Sequence, residues 1–414
     1  MRMRYFATAA AAAMLLVAPP AAADTVSDWW EFAGRITNAT QPPTADQYRA
    51  ISRTSLAMFE AVNAIDRRYE SYLGFPAGDS TASQDAAAAT AAFKVLVHHF
   101  PTQRTALEDS YAIAMAEIRD ERAREAGRLI GEAAAAAAMA AGGIDPAIPQ
   151  DPYRPRTTPG EWISTPLPQI ESFMWAYRPW AIPSAEALRP PPPPALSSAV
   201  WARDYEEVRR LGARTSTERT PHQTLMARYR QAFELAPTMR LVADGPGRTP
   251  VRNARMFAVY QMAFDDAALA MAAAKFHYNY WRPITAIRNG AADGNEATAP
   301  DAGWVPLLAT PNFPEYPCGH CTVAAAIGEV MSAETGPIPA KGVRVGSQAV
   351  PNSIIQVLPS WERWVQEVSD SRIYGGVHYR FSNEAGEEIG RRAARIVMDR
   401  VMQPLPVRRG GGRR

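Results

Sequence analysis

Apolar residues recur at helical spacing through most of this chain, and strand-like alternation is absent from its first half. From Gln47, the residues Leu56, Met58, Phe59, Val62 and Ile65 share one helical face, and the pattern ends near Asp66-Arg67-Arg68. A second helix is expected from Asp85 to Phe100, where Pro101 stops it. A long third runs from about Gln103 to Ala141, with Leu107, Tyr111, Ile113, Met115, Ile118, Leu129 and Ile130 set against charges and Gly142-Gly143 closing it. Before these, Asp24 to Asp46 reads as a polar lead-in carrying Trp29 and Trp30.

Residues 144–196 are rich in proline and aromatics and peak at Pro190 to Pro194, a stiff polyproline run. A rigid strap joining two helical halves is the preferred reading over a ligand for a proline-recognition module. Helices then resume. They are expected at Ser197 to Leu211 (capped by Ser197 or Ser198), at Thr220-Pro221 to about Leu235, and at Pro250 to Lys275. Others follow near Pro283, at Thr322 to Ala333, Trp361 to Ser369 and Asn383 to Met402, with 290–314 a loop and the tail from Arg408 to Arg414 frayed. The fold class is all-α, a helical bundle with an N-terminal helical half. It divides into a helical region at 24–188, the strap at 189–196, a site-carrying domain at 197–403 and a basic tail at 404–414.

With 414 residues the chain can bury a large core, and a formal net charge of +2 gives no electrostatic case for nucleic acid or acidic membranes. Any anion site must be local. Arg2 and Arg4, the apolar stretch from Tyr5 to Ala18 and Ala21-Ala22-Ala23 before Asp24 read as a signal peptide over 1–23. The expected product is exported, secreted or periplasmic, with no membrane span after signal removal; an uncleaved anchor is the alternative, although the stretch is short for one.

Chemistry concentrates between Lys275 and His378. Three blocks lie there: Lys275-Phe-His-Tyr-Asn-Tyr-Trp-Arg282-Pro283, Phe313-Pro-Glu-Tyr-Pro-Cys318-Gly319-His320-Cys321, and Ser371-Arg372-Ile-Tyr-Gly-Gly-Val-His378. Of 44 basic residues only Lys94, Lys275 and Lys341 are lysines, so a lysine heading this region is unlike surface filler. Lys275, Arg282 and Arg372 could neutralise one tetrahedral oxyanion, and Gly319 lets the backbone N–H groups of a helix start approach it. His320 would sit beside the anion to move a proton, and Gly375-Gly376 lets the chain bring Arg372 and His378 to one pocket. Each cation read alone has a structural explanation, Lys275 as a favourable charge at a helix C-terminus. His98, His99, His222 and His277 lack such a setting and read as structural or surface residues. The only two cysteines, Cys318 and Cys321, could close a disulfide in an oxidising compartment.

Lys275-x6-Arg282-Pro283, Pro317-x-Gly319-His320 and Ser371-Arg372-x5-His378 resemble the motifs of the vanadium-dependent haloperoxidases, whose helical core is shared with type 2 phosphatidic acid phosphatases and bacterial acid phosphatases. The likeness is specific over about 190–400 and general before that. It implies that Lys275, Arg282, Gly319 (through its N–H) and Arg372 hold the oxygens of vanadate, with phosphate able to take the same place. It also implies that His378 bonds vanadium, that His320 exchanges protons with bound water or peroxide, and that Phe313 shapes the substrate side. Lys275 would polarise bound peroxide so that halide attacks it and leaves as hypohalous acid.

Two departures stand out. Cys318 replaces the serine that usually donates to an oxyanion oxygen; a thiol donates weakly and a disulfide not at all. Ser382 stands where the phosphatase branch commonly carries an acid, four residues after the last histidine. The expected partners are hydrogen peroxide and a halide, with a homodimer left open. The alternative is a phosphatase in which His378 attacks a phosphoester to form a phosphohistidine and His320 protonates the leaving alcohol. Readings of another class are a non-catalytic oxyanion binder and a thiol–disulfide oxidoreductase at Cys318-Gly-His-Cys321, the latter without the βαβ pattern of thioredoxins around it.

Overall fold

The computed structural model describes residues 24–39, 45–145, 152–170, 176–350 and 354–406. Residues 1–23, which the sequence reads as a leader, and 407–414 lie outside them. The described residues are mainly helical, as the apolar spacing predicts. The helices are α1 (Thr25–Ala39), α2 (Ala45–Ile65), α3 (Gln84–His99), α4 (Arg104–Ala116), α5 (Glu121–Ala140), α6 (Ala199–Leu211) and α7 (Pro221–Tyr229). They continue with α8 (Ala236–Ala243), α9 (Pro250–Tyr278), α10 (Pro283–Arg288), α11 (Gly319–Thr335), α12 (Trp361–Tyr374) and α13 (Arg380–Arg400).

Helix α9 is the axis. Thr249 caps it by accepting from Arg252 N, and Pro250 fills the first position, where a missing N–H costs nothing. Its 29 residues span about 44 Å, and it is apolar on nearly every face because α2, α11 and α13 all pack on it. One core runs through both halves of the chain, joining Phe59 and Val95 to Phe257, Ile327, Val365 and Val397. Two acids on α9 lock the halves together. Asp265 pairs with buried Arg49 of α2 at 3.0 Å, and Asp266 accepts N–H bonds from Trp180, Ala181 and Ile182 at 2.7–2.9 Å.

Several sequence expectations are corrected. The lead-in is helix α1, which buries Val26, Trp29, Ala33 and Ile36 at helical spacing despite the charges between them. The long helix from 103 to 141 is two, because Asp120 turns its side chain to cap Ala123 N at 3.0 Å and restarts the coil as α5. The helix from Thr220 ends at Tyr229, and a further helix, α8, follows it. Between them β1 (Phe233–Glu234) joins a small antiparallel sheet with β2 (Val343–Ser347) and β3 (Gln356–Leu358), in the order β1-β2-β3. These strands are too short for alternation to stand out.

Two features set the position of the site. The proline-rich segment crosses beside it, the carbonyls of Pro190 and Pro191 accepting from Tyr278 and Tyr316 hydroxyls at 2.5 and 2.7 Å. Helices α11 and α13 approach closely at Gly386 and Gly390, where a Cβ would meet the carbonyl oxygens of Cys318 and Thr322. The start of α11 is thereby pinned from behind.

Candidate active site

Asn279 ends α9 in the left-handed conformation, φ 46°, and returns its N–H to the Lys275 carbonyl. The reversal puts Lys275 in the last turn of α9 and Arg282 at the mouth of α10. The segment 313–317 then folds over both. Lys275 Nζ donates to the carbonyls of Pro314 (3.0 Å) and Glu315 (2.7 Å), while Arg282 donates to Phe313 O from Nε (2.9 Å) and to Val377 O from Nη1 (2.9 Å). The Phe313 ring lies about 5 Å from both cations, 5.1 Å from Lys275 Nζ and 4.9 Å from Arg282 Cζ.

Helix α11 begins at Gly319, three residues earlier than the apolar pattern indicated, so Gly319 and His320 occupy its first turn. Cys318 is the N-cap: its sulfur accepts from Cys321 N at 3.2 Å and its carbonyl from Thr322 N at 3.1 Å. The Cys318 and Cys321 sulfurs are bonded to each other, and both residues are fully buried. Cys318, placed among the oxyanion-binding positions by the resemblance, therefore offers no side-chain donor there, since a sulfur tied to another sulfur has no S–H to donate. Arg372, in the last turn of α12, donates to Ser371 Oγ (3.0 Å) and to Ala227 O (3.4 Å). His320 Nε2 lies 3.0 Å from the carbonyl of Gln231, which the α7–β1 connection carries over the site.

His378 is held from both sides. Its Nδ1 is 2.7 Å from Glu315 Oε1, and its Nε2 is 3.2 Å from Arg282 Nη1. Glu315 is fully buried and also accepts from Tyr379 N at 3.2 Å. Sequence reasoning missed it. The one signal was a lone acid inside an apolar block between two prolines. Behind these groups Trp201, Tyr280, Trp281, Tyr316, Tyr379 and Phe381 form an aromatic wall, with Tyr379 stacked on Phe381 at 5.2 Å.

The dry setting governs the electrostatics. Burial pushes Arg372 down to about 9 and Arg282 to about 10, and Lys275 falls well below its usual value by burial and then by repulsion from Arg282. Glu315 is raised to about 7 by burial, with Lys275 and Arg282 pulling the other way. Burial, then Arg372, takes His320 down to about 3; burial, then Arg282, Lys275 and Arg372, takes His378 well below 6.5. Both imidazoles are neutral near pH 7. All five groups singled out in the sequence thus lie within reach of each other's charge. His98, His222 and His277 are exposed elsewhere, and His99 pairs with Asp46 at 3.2 Å.

Comparison with known proteins agrees with this geometry. A family model described as the VCPO second helical-bundle domain matches residues 255–406. Vanadium chloroperoxidase from Curvularia inaequalis is 27% identical over a stretch covering 34% of this chain and 28% of that protein, so the match spans less than a third of the curated relative. Among solved structures, the first bacterial vanadium-dependent iodoperoxidase superposes with a TM-score of 0.76 at 22% identity, covering 92% of this chain and 97% of the other. A bacterial vanadium-dependent chloroperoxidase in its holo form gives 0.66 at 14% identity, covering 90% and 92%. The class is a vanadium-haloperoxidase helical bundle. Residues 255–406 match the model of the VCPO second helical-bundle domain, and the chain as a whole has the fold of the bacterial vanadium-dependent haloperoxidases it superposes on.

The donor set fits a tetrahedral oxyanion. Two guanidinium groups and an amine are buried here around one carboxyl group and two imidazoles, a set of donors that outnumbers its acids and that an anion would engage. At Gly319 an added Cβ would lie 3.4 Å from Met271 Cε and 3.8 Å from Lys275 Cε, so the glycine leaves a space a methyl group would fill, beside the lysine. Among the described residues no cluster of His, Cys, Asp and Glu suits a simple cation, and no helix is long and apolar enough to cross a membrane.

Proposed function

We propose that this chain is an enzyme of the haloperoxidase kind that binds vanadate between Lys275, Arg282, Arg372, the Gly319 N–H and His378, and uses hydrogen peroxide to oxidise halide. The observation that carries the reading is the convergence of buried Lys275, Arg282 and Arg372 on the neighbourhood of His378. Bound vanadate supplies a Lewis-acidic centre that activates peroxide toward halide. The chain's own groups do the rest. Arg282 and Arg372 would hold the oxygens, Lys275 would polarise the peroxide and stabilise the charge that builds on the oxygen left behind as the other bonds to the halogen, and His378 would present Nε2 to the metal. His320, neutral and in the first turn of α11 with Nε2 facing the Gln231 carbonyl, would accept and return a proton at Nδ1 during X⁻ + H₂O₂ + H⁺ → HOX + H₂O. Phe313 and the aromatic wall keep water from competing for those contacts.

One observation favours a second reading. A neutral His378 whose Nδ1 faces a carboxylate also suits a nucleophile toward phosphorus, with His320 as the acid for the leaving alcohol. The buried disulfide gives no comparable support to thiol–disulfide exchange, since neither sulfur is accessible. Halogenation of an indicator compound with peroxide, halide and added vanadate, run beside hydrolysis of a chromogenic phosphate monoester, separates the readings. The proposal expects vanadate-dependent halogenation. Vanadate binding without halogenation, together with ester hydrolysis, would replace the first reading by the second; phosphate binding with turnover in neither assay would leave a non-catalytic oxyanion binder. Export through the leader at 1–23 belongs to the same proposal, and the mass of the mature protein tests it, with Asp24 expected as its first residue.

A further inference from the structure

We propose that Glu315 is the positioning residue of this site: it fixes the tautomer and the ring orientation of His378, so that Nε2 carries the lone pair that meets the oxyanion's central atom. The inference deepens the vanadate reading and rests on it for the identity of that atom, but the tautomer can be tested without it.

Two independent contacts select the same protonation pattern. A guanidinium only donates, so Arg282 Nη1 at 3.2 Å requires Nε2 to be the accepting nitrogen. A neutral imidazole must then carry its proton on Nδ1, which lies 2.7 Å from Glu315 Oε1. That oxygen also takes the Tyr379 N–H at 3.2 Å, so two donors from adjacent residues of one segment converge on it. A carboxylate is the acceptor such a pair calls for.

Glu315 is itself held from several directions. Its carbonyl accepts from Lys275 Nζ at 2.7 Å and its N–H donates to Tyr280 O at 2.9 Å, so the residue cannot swing away without breaking the lysine's own bonds. The carboxylate comes from 63 positions upstream of the histidine it serves.

The test is nitrogen-15 NMR of the histidine rings in the full-length protein without vanadate, followed by vanadate titration, for wild type, Glu315→Leu and Glu315→Gln. Wild type is expected to show His378 protonated at Nδ1 only. In Glu315→Leu only the Arg282 contact still favours Nδ1–H, so a population protonated at Nε2 appears and vanadate binds 10- to 100-fold more weakly, the range typical of a lost partner behind a metal ligand. Glu315→Gln keeps an acceptor oxygen and restores the Nδ1–H form and most of the affinity; if the leucine variant does not fold, the glutamine variant and wild type carry the test. An Nε2–H tautomer in wild type, or an unchanged tautomer and affinity in Glu315→Leu, overturns the proposal and leaves the vanadate reading standing. Tautomers that respond as expected in a protein that binds no vanadate support the positioning role and sink the vanadate reading instead.

Discussion

Arg282 Nη1 sits 3.2 Å from Nε2 of His378, placing a fixed cation against the nitrogen expected to meet the oxyanion. That bond is the one an incoming anion would exchange for a contact of its own. The guanidinium would swing one donor from the ring to an oxygen while its bonds to Phe313 O and Val377 O keep the side chain in place.

The fork geometry gives a direct prediction. Arg282→Lys keeps the charge but loses the parallel donors, and charge-assisted bonds of this kind are worth about 1.5–3 kcal/mol. Vanadate affinity measured by calorimetric titration should fall by roughly ten- to a hundredfold, by the conversion of about 1.4 kcal/mol per decade. Equal affinity in the variant would remove Arg282 from the anion contacts.

Gly319→Ala separates folding from binding. The added methyl group meets Met271 Cε at 3.4 Å, an ordinary contact, so thermal stability should hold or rise slightly as a helix gains a better helix former. The same methyl group occupies space beside Lys275 and would hold the anion off the retained N–H, so vanadate binding should weaken by about tenfold or more, as when one charge-assisted bond is stretched. A stable variant with unchanged affinity would show that the anion does not occupy the space beside Gly319 and Lys275.

Much of this was legible in advance, for a physical reason. Cations, a glycine and histidines that must meet at a small anion are carried in short blocks, because the backbone near them has to turn tightly, and prolines mark those turns. Glu315 was not legible, since its carboxylate meets an imidazole and an N–H more than sixty positions further along the chain. Nor were Gln231 and Ala227, which contribute main-chain carbonyls that no side-chain pattern reveals. Helix α1 escaped notice because Asp28, Glu31 and Arg35 interrupt an apolar stripe that only tertiary packing makes clear.

Acid should destabilise the fold in a way that His320 helps set. Its folded pKa, pushed down to about 3, lies below the unfolded 6.5, so between those values the unfolded chain holds a proton the folded chain refuses. This contribution is present above pH 6.5 and is lost as pH falls toward 3. In His320→Gln the melting temperature should therefore drop less steeply between pH 6.5 and 5 than in wild type. Parallel curves for the two proteins would show that the ring takes up its proton without unfolding.

The disulfide is expected to be structural. Closing a four-residue loop stabilises by about 2 kcal/mol on the chain-entropy scale. Replacing both sulfurs, Cys318→Ser with Cys321→Ser, should cost up to that amount in denaturant unfolding. Vanadate affinity should stay equal or tighten, because the sulfur offers no donor and a hydroxyl there would. A large loss of affinity would mean that the bridge shapes the anion cradle.

A crystal soaked with vanadate tests the central claim most directly. The account predicts vanadium bonded to His378 Nε2, with its oxygens contacted by Lys275, Arg282, Arg372 and the Gly319 N–H. Vanadate bound elsewhere, or bound here without contact to His378 and at least two of the three cations, would contradict it.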